Sequence, residues 1–185
     1  NFELTLREVV GTPEEDTPRL QAVREAIGQG TLLVDLNAGY DFPTALRACR
    51  LWDALQIGWI EEPIRPRLKD QLAELRSRTC IPIAAGENEF RLAGFRDLFL
   101  KRAVDIAMPD IGRTGGIWET KKICALAEAF GIRVSPHNFY SGVLLAATIH
   151  LMVSTPNASW LELDSSENAI YEEFLEEPLR VIDGH

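Results

Sequence analysis

The chain has 185 residues, 46% hydrophobic and 25% charged, with a formal net charge of −9. Such fractions exclude disordered, collagen-like and disulfide-scaffold classes, and at about 150 residues per domain the length fits one domain. The negative charge repels phosphate backbones, so nucleic acid is not an expected partner, and an anionic substrate would need a cation or a local basic group to hold it.

Short apolar runs alternate with longer amphipathic ones. Residues 2–6 read as a strand and 18–27 as a helix closed by Gly28. Residues 31–36 form the next strand, followed by the helix-start signal Asp41-Phe42-Pro43 and a helix carrying Leu46, Leu51, Trp52 and Leu55. Residues 57–60 are strand and 68–78 helix, with Leu68, Leu72 and Leu75 on one stripe. Strand at 81–85 precedes helix at 92–101. Strand at 104–108 precedes a helix from about residue 117 to 130, which Gly131 terminates. Residues 132–135 are strand, 143–154 an apolar helix and 160–163 the last strand; 165–185 form an acidic, loop-like tail.

Seven near-continuously apolar strands alternating with six helices imply parallel strands covered on both faces. The alternatives are an open doubly wound sheet and a closed βα barrel. No GxGxxG follows any strand. Gly112-Arg113-Thr114-Gly115-Gly116 lacks that spacing and the Walker lysine, and reads as a glycine-permitted turn in preference to a phosphate cradle. The apolar stretch 142–153 is too short to span a bilayer; His150 within it reads as a packed residue, and His185 at the chain end is uninformative. Cys49, Cys80 and Cys124 are scattered without a CxxC pair and read as reduced, structural thiols in a cytosol-like compartment. No targeting signal is visible, and a start at Asn1 reads as a piece of something longer.

Ionisable residues recur at the strand ends. Asp35, Glu61, Glu87, Asp110, His137 and Glu162 end, follow or lie in the second to seventh strands, at separations of 26, 26, 23, 27 and 25 residues. Each separation is one βα unit. In a barrel, the carboxyl ends of consecutive strands converge on the mouth where active sites of that fold lie. Five carboxylates and one imidazole in one cleft repel strongly unless a cation compensates them. Three successive oxygen donors fit a hard divalent ion, magnesium best, and no His or Cys among them favours zinc. His137 and Asp110 come from adjacent strands and fit an imidazole held by a carboxylate. A lone acid at a strand end is ordinarily a helix cap or a solvated charge, which does not account for six in phase.

These residues stand in Asp35-Leu-Asn37, Ile60-Glu61-Glu62-Pro63, Gly86-Glu87-Asn88, Pro109-Asp110-Ile-Gly-Arg113-Thr-Gly-Gly116, Pro136-His137-Asn138 and Trp160-Leu-Glu162. From about residue 11 to 184 the chain resembles the enolase superfamily, and within it the mandelate racemase/muconate lactonizing enzyme family, in its mandelate racemase-like branch. The resemblance implies a partial TIM-like (β/α)7β barrel at residues 1–164, with about seven of eight strands, and 165–185 as a tail of the same domain. The family's N-terminal capping domain is absent from this chain. It further implies that Asp35, Glu61 and Glu87 bind Mg2+ and that Asp110 and His137 form the acid–base dyad. Glu162 would hydrogen-bond the substrate carboxylate or the enediolate, and Asn37 and Asn88 would touch substrate. Sites of this superfamily use a Lys or His base with magnesium on an ene-diolate.

One departure bears on the reaction. Where the branch has a Lys-x-Lys pair, this chain has Leu4-Thr5-Leu6-Arg7-Glu8 without a lysine. Arg7 reads equally as a clamp on the substrate and as a barrel-wall or surface residue. Arginine cannot be deprotonated at useful pH, so two-base racemisation is disfavoured. The expected enzyme is a magnesium-dependent lyase that dehydrates a sugar acid or another α-hydroxy acid through an enediolate. The alternatives are a racemase or epimerase of the same acid class and a catalytically inactive ligand-binding relative. The expected partners are a small-molecule carboxylate substrate and further copies of the chain, with no membrane, and the expected location is cytoplasmic.

Overall fold

A computed structural model describes residues 4–6, 11–164, 170, 176, 177 and 179. Arg7 and nearly all of the expected tail at 165–185 lie outside the described residues. The chain divides into two units, residues 1–85 with 100–105 and residues 86–99 with 106–185.

In the first unit the strands β1 (Leu4–Leu6), β2 (Leu32–Asp35), β3 (Ile57–Glu61) and β4 (Ile83–Ala85) pair parallel in chain order. β2 and β4 are buried along their whole length, as strands covered on both faces must be. The register sets Val34 beside Ile60 and Asp35 beside Glu61. The helices are α1 (Pro13–Ile27), α2 (Phe42–Trp52) and α3 (Lys69–Ser77).

α1 starts five residues before the expected position. Thr12 caps it through a capping box: its hydroxyl accepts from the Glu15 N–H, and the Glu15 carboxylate accepts from the Thr12 N–H at 2.8 Å. Pro13 stands in the first turn, where no N–H is needed, whereas Pro18 lies inside the helix and has no N–H to offer the Glu14 carbonyl. Trp52 is fully buried, and its indole N–H donates to Thr17 Oγ1 at 3.0 Å, joining α2 to α1. Asp105 anchors β4: Oδ1 accepts two hydrogen bonds from Arg76 of α3, at 2.9 and 2.6 Å, and Oδ2 accepts from the Ile83 N–H at 2.9 Å.

The second unit pairs β5 (Ile106–Ala107) with β6 (Arg133–Val134) in parallel and carries α4 (Arg91–Leu100), α5 (Ile111–Thr114), α6 (Ile117–Ala129) and α7 (Gly142–Val153). The segment read as a bare glycine turn contains α5, one helical turn capped by Asp110 and stopped by Gly115 at φ +113°. The last expected strand, at 160–163, is not formed. Only Ala158 bridges to Val134, through Val134 N–H to Asn157 O and Ser159 N–H to Val134 O. The next donor in a parallel ladder would be residue 136, a proline with no N–H. The Ser135 hydroxyl bonds the Trp160 carbonyl instead, at 2.9 Å. The described residues therefore hold six strands, not seven.

Two smaller expectations are corrected. His150 is exposed, because α7 buries Gly142, Leu145, Thr148 and Leu151 and turns residue 150 away from that face. Cys49 and Cys124 are buried, but Cys80 is exposed in the turn before β4; all three are free thiols. Removing the Asp105 carboxylate would strand the buried Ile83 N–H. Asp105→Ala is expected to lower the unfolding free energy by about 1–3 kcal/mol, read as a lower denaturant midpoint at unchanged slope.

Candidate active site

The second unit holds four of the six periodic residues, with three carboxylates around the His137 imidazole. Beyond β5 the chain passes through Met108 and Pro109 to Asp110, which caps α5: Oδ1 accepts the Gly112 N–H at 2.6 Å, leaving Oδ2 to meet His137 Nδ1 at 2.7 Å. Asp110 is fully buried and His137 nearly so. On the other side of the ring, Nε2 lies 3.1 Å from Glu87 Oε2 and 4.0 Å from Glu162 Oε2. An imidazole facing a carboxylate on each nitrogen is best satisfied as the doubly protonated cation. Burial alone pushes the His137 pKa down. The Asp110 hydrogen bond and the charges of Glu162, Glu87 and Asp110 outweigh it, and the pKa lies above its ordinary value.

Glu162 is placed by the loop that follows Pro136. Its Oε2 accepts the Asn138 N–H at 2.8 Å, and the Asn138 amide donates to the Glu162 carbonyl at 3.1 Å. Glu87 is placed by Gly86. That residue has φ +142°, and a Cβ there would stand 2.8 Å from the Phe95 ring and 3.1 Å from the Met108 backbone. Glycine alone fits this approach. Arg113 of α5 donates to Glu87 Oε1 at 3.2 Å, to the Glu87 carbonyl at 3.2 Å and to Asn88 Oδ1 at 3.0 Å. The guanidinium carbon lies 5.3 Å from the centroid of the Tyr140 ring.

The first unit holds the other two periodic acids. Asp35 and Glu61 are register partners at the carboxyl ends of β2 and β3, each 4% exposed. Asp35 Oδ1 accepts the Asn37 N–H at 2.8 Å. Beyond the strand ends the backbone is left-handed at three non-glycine residues, Asn37 (φ +43°), Ala38 (φ +57°) and Glu62 (φ +35°). The Ala38 N–H donates to the Glu62 carbonyl at 2.7 Å and locks the two turns together. Local strain of this kind collects at functional sites.

Among the described residues no group of three or more His, Cys, Asp and Glu side chains is arranged to hold a metal ion. The Glu87 carboxylate turns one oxygen to Arg113 and the other to His137. The donor chemistry nonetheless suits a hard divalent cation, since Asp35 and Glu61 are neighbouring buried carboxylates with oxygen donors only. Sequence reasoning did not single out Arg113 or Tyr140 as site residues. The available signal was the i, i+3 spacing of Arg113 from Asp110 on a helical turn, obscured because that turn reads as a glycine loop.

A profile of the enolase C-terminal domain-like family matches residues 5–185. Arabinonate dehydratase of Saccharolobus solfataricus is 34% identical over 173 residues, covering 93% of this chain and 46% of that protein. D-galactarolactone cycloisomerase of Agrobacterium fabrum is 34% identical over 180 residues, covering 92% of this chain and 48% of the other. The crystal structure of L-talarate dehydratase from a Polaromonas species, complexed with Mg and L-glucarate, matches with a TM-score of 0.85 at 32% identity, over 100% of this chain and 49% of that one. The chain thus spans about half the length of the curated relatives it matches. Its fold class is α/β, a part of a βα barrel, as expected from the alternation of its elements.

The close approach at Gly86 gives a direct check on the scaffold. Gly86→Ala combines an unfavourable φ with contact against the Met108 backbone, and is expected to destabilise the protein by about 1–3 kcal/mol. Denaturant titration measures it.

Proposed function

The chain belongs to the enolase C-terminal domain-like family, and from that premise we propose that it carries catalytic residues of a magnesium-dependent lyase. The reaction is removal of the proton α to a carboxylate, followed by β-elimination of water from a sugar acid or another α-hydroxy acid. The observation that carries this reading is the buried His137–Asp110 pair, with Nδ1 held at 2.7 Å and Nε2 turned toward two further carboxylates.

In this reading Asp35, Glu61 and Glu87 hold the cation. When bound, magnesium supplies positive charge that stabilises the negative charge a carboxylate gains as its α-proton leaves. Asp110 accepts the Nδ1 proton of His137, which fixes the neutral tautomer and leaves the lone pair on Nε2. Nε2 takes the α-proton, and the electron pair of the C–H bond passes into the enediolate. The imidazolium so formed is the state that Asp110, Glu87 and Glu162 favour. It returns the proton to the β-hydroxyl, which departs as water; the remaining enol ketonises to a 2-keto acid. Glu162 hydrogen-bonds the carboxylate or the enediolate, or serves as the acid while His137 is the base. Asn37 and Asn88, each close in sequence to a metal ligand, bind substrate hydroxyls. Arg7, outside the described residues, is assigned to the substrate carboxylate or sugar hydroxyls as an electrostatic clamp. Residues 1–164 make up the barrel portion and 165–185 its tail.

An isomerase reading has support in the cycloisomerase relative, since isomerisation at the same carbon begins with the same proton transfer. A panel of aldonic and aldaric acids incubated with magnesium separates the two. Release of 2-keto acid is expected; α-deuterium incorporation from deuterium oxide without 2-keto acid would favour the isomerase, and binding with neither reaction an inactive relative. His137→Asn is expected to reduce turnover by about 10²–10⁴-fold or more while magnesium still binds in calorimetry; unchanged turnover would sink the assignment. Glu61→Gln is expected to weaken magnesium by at least about tenfold, and an unaltered affinity would remove Glu61 from the ligand set.

A further inference from the structure

Arg113 is not accounted for by the reaction above, yet it binds the turn that carries Glu87. Its Nη1 reaches the Glu87 carbonyl, Glu87 Oε1 and the Asn88 side-chain carbonyl, at 3.2, 3.2 and 3.0 Å. The Asn88 amide closes the triangle by donating to Glu87 Oε1 at 3.1 Å. Nη2 meets the Tyr140 hydroxyl, and the guanidinium packs near the Tyr140 ring, a cation–π arrangement that favours arginine. Nε lies 3.9 Å from Asp110 Oδ2. Arg113 is only partly exposed, and its origin is fixed by α5, whose Asp110 cap and Gly115 stop set where residue 113 projects.

We propose that Arg113 is a positioning residue: it fixes the direction of the Glu87 carboxylate and of Asn88, and so sets the affinity for the divalent cation and the order of the adjacent substrate contact. This rests on the assignment of Glu87 as a metal ligand. The physical basis is geometric. Glu87 Oε2 already faces His137 Nε2 at 3.1 Å. Without Arg113 on Oε1, the carboxylate is free to rotate fully onto the imidazole, which withdraws it from the metal and occupies the nitrogen that must take a proton. A lysine keeps the charge but lacks the planar fork that spans several acceptors.

Magnesium titration calorimetry on the intact protein, paired with steady-state kinetics, tests this. Arg113→Lys is expected to bind magnesium about 10–100-fold more weakly, the range seen when groups that orient metal ligands are lost. Its thermal unfolding is expected to match wild type, and its kcat to recover at saturating magnesium. Arg113→Met separates charge from geometry. Unchanged affinity in Arg113→Lys with tighter binding in Arg113→Met would overturn the inference, because Arg113 would then act only as a repelling charge. A kcat of Arg113→Lys that stays low at saturating magnesium with unchanged affinity would overturn it as well. Wild-type protein that binds no magnesium would remove the metal-site reading itself, and this inference with it.

Discussion

Like charges held close together in a buried place are the constraint on which the site depends. Two unit charges 4 Å apart interact by about 4 kcal/mol at an effective dielectric of 20, a large share of a domain's whole stability. In the second unit, Asp110, Glu87 and Glu162 crowd one imidazole. Each acid there has a named compensation: the Gly112 N–H and His137 for Asp110, Arg113 and His137 for Glu87, the Asn138 N–H for Glu162. In the first unit Asp35 and Glu61 lie side by side with almost no solvent contact. Such an arrangement is costly as architecture and useful as chemistry, because it presents oxygen donors to a cation and raises the basicity of a histidine.

Backbone geometry turns this constraint into placement. The strand ends carry the acids, and the chain bends sharply just beyond them. Asn37, Ala38 and Glu62 take left-handed conformations, and Gly86 adopts one that no side chain would fit. Pro136 has a related effect by a different route. It removes the donor that would continue pairing after β6, so the chain leaves the ladder just before His137 and Asn138. The hydrogen bonds that a strand would have made are replaced by Ser135 to Trp160 and by Asn138 to Glu162. A broken ladder thereby becomes a link between the segments that carry His137 and Glu162.

The sequence made the βα alternation legible because apolar runs and amphipathic runs differ in period, and buried parallel strands have no polar face to blur the signal. Element boundaries were harder. The start of α1 depended on a reciprocal hydrogen bond between Thr12 and Glu15, and Pro18, a common first-turn residue, drew the reading five positions late. α5 was hidden inside a glycine-rich string, because a single helical turn has too few residues to show a period. His150 was misread because an apolar helix with little contrast between its faces does not declare which side is buried.

What the sequence determined by itself was the repeat and its chemistry: a parallel α/β chain with one ionisable residue in each of six successive strand-end segments, and the residue types suited to a hard cation and a carboxylate-held histidine. Spacing suffices for that, because parallel strands separated by helices must return their carboxyl ends to the same side. Only the tertiary structure decided which atoms meet. It set Nδ1 of His137 on Asp110 and Nε2 toward Glu87 and Glu162, paired Asp35 with Glu61 in register, and brought Arg113 onto the Glu87–Asn88 turn. Those contacts join residues about 25 to 50 positions apart in the chain. Their distances depend on side-chain rotamers, backbone turns and packing, none of which a one-dimensional period contains.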